Sequence, residues 1–150
     1  MVVELDTPPG AMTGARYIES LRDGREVWLD GRRVDDVTTH AAFKDFVLSL
    51  AHVYDLQHAD AYRDQMTFVS PETGNRVSLS YLIPRSRADL KRKRANSEAW
   101  SELTWGQLGR SPDILAPYIS SLAVRRESLS SVQNPHCDFG ENALNYYRYC

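Results

Sequence analysis

Five consecutive residues, Gly109-Arg110-Ser111-Pro112-Asp113, are the stretch best suited to hold a charged ligand. Ser111 suits a helix N-cap, because its hydroxyl can accept from a free backbone N–H. Pro112 suits the first helical position, where no N–H is missed. Asp113 places a negative charge in the first turn, which the helix dipole favours. Gly109 closes the preceding helical pattern. Arg110 is then held beside exposed N–H groups and the positive end of a dipole, a good corner for an anion. The plainer reading is an ordinary helix boundary with Arg110 facing solvent.

Other candidate chemistry is thinner. Lys91-Arg92-Lys93-Arg94 is the densest charge run, and helical spacing spreads it around the cylinder as a solvated face. Its functional alternative is contact with an anionic cofactor or an acidic partner. His40, His52, His58 and His136 form no HxxxH, HExxH or Cys/His zinc spacing, so no metal site is expected. His136 precedes Cys137, but adjacency alone does not make a Cys–His nucleophile. No GxGxxG, GxxxxGK[ST] or GxSxG is present. Trp100, Trp105 and Tyr118 flank Arg110 and read as core packing, or else as flat walls for an aromatic anion or an isoalloxazine ring.

The elements that must position these residues follow from periodicity. Residues 1–12 read as an irregular lead-in, and Thr13 caps a short helix through Leu21. Val27 to Val34 is a hairpin around Asp30-Gly31, the favoured pair for a type I′ turn. A helix starts at Thr38 or Thr39, carries Phe43, Phe46, Val47, Leu50, Ala51 and Tyr54 on one stripe, and ends between Gln57 and Asp60. Met66 to Val69 and Val77 to Ile83 read as a second hairpin, ended by Pro84. Ser86 and Asp89 start a helix that runs to about Leu108. Ser111 to about Leu122 is the next helix, with a kink expected at Pro117. Residues 125–137 read as a polar loop. Asp138-Phe139-Gly140-Glu141 resembles a capping box, followed by helical spacing through Cys150. The fold class is mainly α with two small β-hairpins.

At 150 residues the chain fits one domain. Hydrophobic content of 42% and charged content of 25% are ordinary for a globular protein. The formal charge of −2 argues against general nucleic-acid binding. No apolar run approaches the roughly 20 residues of a membrane span. No secretory signal is expected, and Cys137 and Cys150 fit free thiols in a reducing cytoplasm. The last helical pattern stops without a C-terminal signal, so the chain is expected to be cut from a longer parent.

Taken in order, several segments resemble the 4-hydroxyphenylacetate 3-monooxygenase family, the large oxygenase component of two-component FAD-dependent aromatic hydroxylases. They are Met12 to Asp23, Asp36-Val37-Thr38-Thr39-His40, Tyr54-Asp55-Leu56-Gln57-His58, Ser70-Pro71-Glu72-Thr73-Gly74, Leu82-Ile83-Pro84-Arg85-Ser86, Gly109 to Asp113, and Phe139-Gly140-Glu141-Asn142. The resemblance implies the N-terminal helical domain of an acyl-CoA-dehydrogenase-like fold, with a β-barrel and a helical bundle beyond this chain. It implies a cytoplasmic homotetramer that takes reduced FAD from a separate NAD(P)H:flavin reductase. With O2, a flavin C4a-hydroperoxide then hydroxylates a phenol next to its hydroxyl. Arg110 matches the family arginine that contacts substrate.

Two departures matter. Family members acting on 4-hydroxyphenylacetate place a substrate-contacting tyrosine after the aspartate, where this chain has Ile114. Ile114 cannot donate a hydrogen bond to a phenol oxygen, and sites built on such a bond discriminate strongly. A substrate other than plain 4-hydroxyphenylacetate, a larger phenol, is therefore expected at Arg110 and Ile114. The family Thr-His segment that helps bind flavin follows a Tyr-Tyr pair, here Tyr146-Tyr147, so cofactor-binding residues are expected beyond Cys150. The isolated chain is expected to be inactive. Two other readings remain open: a 4-hydroxybutyryl-CoA dehydratase relative, and a non-catalytic helical interaction domain.

Overall fold

A computed structural model describes residues 10–106, 114–132 and 136–150. The chain divides into two compact units, Met1–Val77 and Ser78–Cys150.

In the first unit, Thr13 caps α1 (Gly14–Ser20), its Oγ1 accepting from Arg16 N at 3.3 Å. Strands β1 (Val27–Leu29) and β2 (Arg32–Val34) pair antiparallel, with Val27 opposite Val34 and Leu29 opposite Arg32. Asp30 and Gly31 take φ of 50° and 72°, the two left-handed positions a type I′ turn requires. Helix α2 (Lys44–Leu56) starts later than Thr38. The Asp36 carboxylate accepts from both the amide and the hydroxyl of Thr38, at 2.7 and 2.6 Å, and such local bonding competes with helix. Val47, Leu50, Ala51 and Val53 are buried, whereas Phe46, expected in the stripe, is 53% exposed. Gly14 lets α1 approach α2 closely. A Cβ there would sit 2.5 Å from the Ala51 carbonyl, and Gly14 N donates to Asp55 Oδ1 at 2.8 Å. A short α3 (Arg63–Met66) leads into β3 (Thr67–Val69), which pairs with β4 (Arg76–Ser78).

The second unit departs more from expectation. The strand predicted through Ile83 stops at Ser78, and Leu79–Tyr81 form a 3₁₀ turn. Leu79 and Ser80 are both buried, and two adjacent buried residues cannot share one face of a strand. Ser86 caps α4 (Arg87–Leu103), its hydroxyl accepting from Asp89 N at 3.1 Å. Helix α4 ends before Leu108, because Trp105 and Gly106 are left-handed, with φ of 54° and 79°. Helix α5 is Leu115–Val124, so Pro117 lies in its first turn, where the missing N–H costs no helical bond and gives no cause for a kink. Residues predicted as a loop contain α6 (Arg126–Ser130). Its polar sequence lacks an apolar stripe. Helix α7 (Phe139–Tyr149) is capped as read, with Asp138 Oδ1 accepting from Gly140 N and Glu141 N at 2.8 and 3.0 Å. Gly140 lies against the Arg126 carbonyl and Ser130 Oγ, leaving no room for a Cβ.

Candidate functional site

The chemistry expected at residues 109–113 belongs to the second unit. Arg110, together with the Ser111 cap and Asp113, lies outside the described residues. Ile114 is described. It stands at the N-cap of α5, half-buried, with φ −63° and ψ −32° and no side-chain capping bond.

Helices α4, α5 and α7 all bond to the 79–82 turn. A three-residue 3₁₀ turn leaves most of its carbonyls without a partner inside the turn, and buried carbonyls need donors. Here the donors come from three helices. Lys93 Nζ of α4 donates to the carbonyls of Ser80 and Leu82, at 2.8 Å each. Ser120 Oγ of α5 reaches the Tyr81 carbonyl at 3.2 Å, sharing its single proton with the Ala116 carbonyl of its own helix at 2.8 Å. Tyr147 OH of α7 donates to that same carbonyl at 3.0 Å. Asn96 Nδ2 adds a buried bond to Ser80 Oγ at 2.9 Å. Periodicity gives no hint of this role for Lys93, because helical spacing places the whole 91–94 run on a solvated face. Lys91, Arg92 and Arg94 are indeed exposed, but Lys93 folds its ammonium back into the unit. No pattern in the sequence marks a lysine as a carbonyl donor. The nearest signal is its position one and two turns from buried Asn96 and Trp100.

A cleft of ≈ 360 Å³ opens beside α4 and α5, lined by Pro84, Leu90, Lys93, Pro117, Val124 and Arg125 among others. Its cations and apolar walls suit a small amphipathic anion, at the low end of small-molecule site volumes. It is too small for a whole dinucleotide, and Ile114 does not line it. The aromatic residues do not form one wall. Trp100 is buried, while Trp105 is 94% exposed and Tyr118 is 66% exposed. Among the described residues, no group of three His, Cys, Asp or Glu is placed to hold a metal ion. Cys137 and Cys150 are both free thiols. No helix among the described residues is long and apolar enough to cross a membrane.

Comparison with known proteins gives this architecture a family. The description "4-hydroxyphenylacetate 3-hydroxylase N terminal" matches residues 13–150. The oxygenase component of 4-hydroxyphenylacetate 3-monooxygenase from Thermus thermophilus is 39% identical over 140 residues, covering 93% of this chain and 27% of the relative. A Streptomyces globisporus monooxygenase of (3S)-3-amino-3-(3-chloro-4-hydroxyphenyl)propanoyl groups on a peptidyl-carrier protein is 35% identical over 137 residues, covering 91% of this chain and 25% of the relative. The crystal structure of the oxygenase component HpaB, complexed with FAD and 4-hydroxyphenylacetate, superposes with a TM-score of 0.82 at 38% identity, covering 93% of this chain and 28% of that one. This mainly helical chain with two small hairpins belongs to the 4-hydroxyphenylacetate 3-hydroxylase family and matches its N-terminal region. It spans about a quarter of the length of the curated relatives it matches.

Proposed function

We propose that this chain is the N-terminal part of a reduced-FAD-dependent monooxygenase that hydroxylates a phenol at the ring carbon next to its hydroxyl. The continuous family match over residues 13–150 carries this reading. The rest of the enzyme, a β-barrel and a helical bundle of the acyl-CoA-dehydrogenase type, lies beyond Cys150 on this account. The share of the relatives' length that this chain covers, about a quarter, supports that division. So does the face of α5, where Leu115, Tyr118 and Leu122 lie three and four residues apart and are 64%, 66% and 49% exposed. A contiguous apolar stripe of this kind usually marks a surface that other protein covers.

Arg110 and Ile114 form the substrate end of the site. FAD is held by residues outside this chain and arrives reduced from an NAD(P)H:flavin reductase, and the complete enzyme works as a cytoplasmic homotetramer. Ile114 gives the phenol oxygen no donor, so the preferred substrate is bulkier than 4-hydroxyphenylacetate. The relative that acts on a carrier-bound chlorohydroxyphenyl group supports a bulkier phenol within this family.

The test joins residues 1–150 to the coding sequence that follows Cys150 and supplies reduced FAD, O2 and a panel of phenols. Catechol formation is the expected result, with none from the 150-residue chain alone. Hydroxylation by the 150-residue chain itself, or a stop codon directly after Cys150, contradicts the proposal.

A further inference from the structure

We propose that Lys93, Ser120 and Tyr147 are positioning residues: by holding the successive carbonyls of Ser80, Tyr81 and Leu82, they fix the start of α5, and with it Ile114, in place. This rests on the reading of Ile114 as a substrate contact. The residues that α5 buries fully are Ala116, Ser120 and Ala123, with Ile119 half-buried on the same face. The three fully buried side chains are small and interdigitate little, so shape alone indexes the helix weakly against sliding or rotation. Directional bonds must supply the index. Ser120 Oγ contacts both the Ala116 carbonyl of its own helix, at 2.8 Å, and the Tyr81 carbonyl across the unit. Tyr147 ties α7 to that same oxygen, so one carbonyl sets two helices at once. Lys93 grips the carbonyls on either side of it, which holds the turn to α4. Ile114 is six residues from Ser120, about 9 Å along a helix. A shift of α5 at Ser120 is therefore carried to Ile114 with little loss, and misplacement of about 1 Å near a reacting substrate can cost up to ~100-fold in rate.

The first test uses the 150-residue chain. Tyr147→Phe keeps the ring and removes the donor, and Ser120→Ala removes the hydroxyl. Each should accelerate amide hydrogen exchange in residues 114–124 by roughly two- to tenfold, the range for losing one neutral hydrogen bond. Exchange in the middle of α4 should stay unchanged, and Ser120→Thr, which keeps a hydroxyl, should restore the slow rates. Unchanged exchange in α5, or equal acceleration in α4 and α5, overturns the proposal. The second test uses the complete oxygenase, where Tyr147→Phe should raise KM for the phenol several-fold and leave the rate of flavin oxidation at saturating O2 unchanged. If Ile114→Tyr changes substrate selectivity while Tyr147→Phe leaves KM unchanged, the positioning role is overturned. If neither substitution changes selectivity or KM, the reading of Ile114 itself fails.

Discussion

The two units finish their surfaces in opposite ways. Among the described residues, the first carries six of the seven ion pairs, including Arg22–Glu19 at 2.8 Å and Arg25–Asp23 at 2.6 Å, and its exposed large apolar residues are Trp28, Phe46, Leu48 and Val69. Among its described residues, the second shows the Arg94–Glu98 pair and leaves Leu90, Trp105, Leu115, Tyr118, Leu122, Val124, Val132, Phe139, Tyr146 and Tyr149 exposed. Exposed ion pairs add little stability, so the contrast concerns what each surface is for. The first unit meets solvent with charge. The second buries a group of polar bonds on the 79–82 turn and turns apolar side chains outward. That division agrees with a second unit built to be covered by other protein.

The largest effects should come from packing inside each unit. Trp100→Ala removes a side chain that is 1% exposed and should lower unfolding free energy by about 3–5 kcal/mol in urea titration. Gly140→Ala should cost about 1–3 kcal/mol, because the new Cβ meets both the Arg126 carbonyl and Ser130 Oγ. Gly14→Ala should fall in the same range and below Gly140→Ala, since α1 is a short helix free to shift off the Ala51 carbonyl. A larger loss for Gly14→Ala would reverse the ranking of the two helix contacts.

Acid should act on both units through exposed caps and turns. The Asp23 carboxyl is lowered to about 2, first by its hydrogen bond from Arg25. Asp36 is held low by Thr38, Asp89 by the Arg85 amide and Asp138 by the Ser130 hydroxyl. In each case the folded pKa lies below the unfolded one, near 4. Their stabilisation is therefore complete above about pH 4 and is lost as pH falls below it, for Asp23 through about 2. Urea midpoints should drop over that window, and Asp23→Asn with Asp138→Asn should flatten the drop. A midpoint that rises on acidification contradicts the assignment.

The smallest stability effect should come from the surface contrast itself. Leu115→Ser, Tyr118→Ser and Leu122→Ser together should change the stability of the 150-residue chain by less than about 1 kcal/mol. A large loss of stability would mean that the stripe is already packed within the unit.

Much of the architecture was legible because its signals are local. Asp30-Gly31 demanded a tight turn, Thr13, Ser86 and Asp138 announced helix starts, and the spacing of Val47, Leu50 and Ala51 announced a buried face. The errors share a cause. Alternation from Val77 to Ile83 looks the same whether it feeds a strand or a 3₁₀ turn, and only the tertiary donors on Ser80, Tyr81 and Leu82 decide between them. Lys93 was invisible as a structural residue because a charge run reads as solvated until a carbonyl is placed beside one member. Helix α6 lacks any periodic apolar stripe to betray it. At the site, Ile114 was read from its place after Asp113, while the residues that hold its helix lie six to 33 positions away in the chain.

The central claim is that Ile114 sets the phenol preference of the enzyme to which this chain contributes. The ratio of kcat/KM for 4-hydroxyphenylacetate to that for a bulkier phenol, measured on the complete oxygenase before and after Ile114→Tyr, tests it most directly. The account predicts a ratio below one for the native residue and a rise of at least about tenfold on substitution, the worth of one recovered hydrogen bond to substrate. A native preference for 4-hydroxyphenylacetate, with no change on Ile114→Tyr, would contradict it.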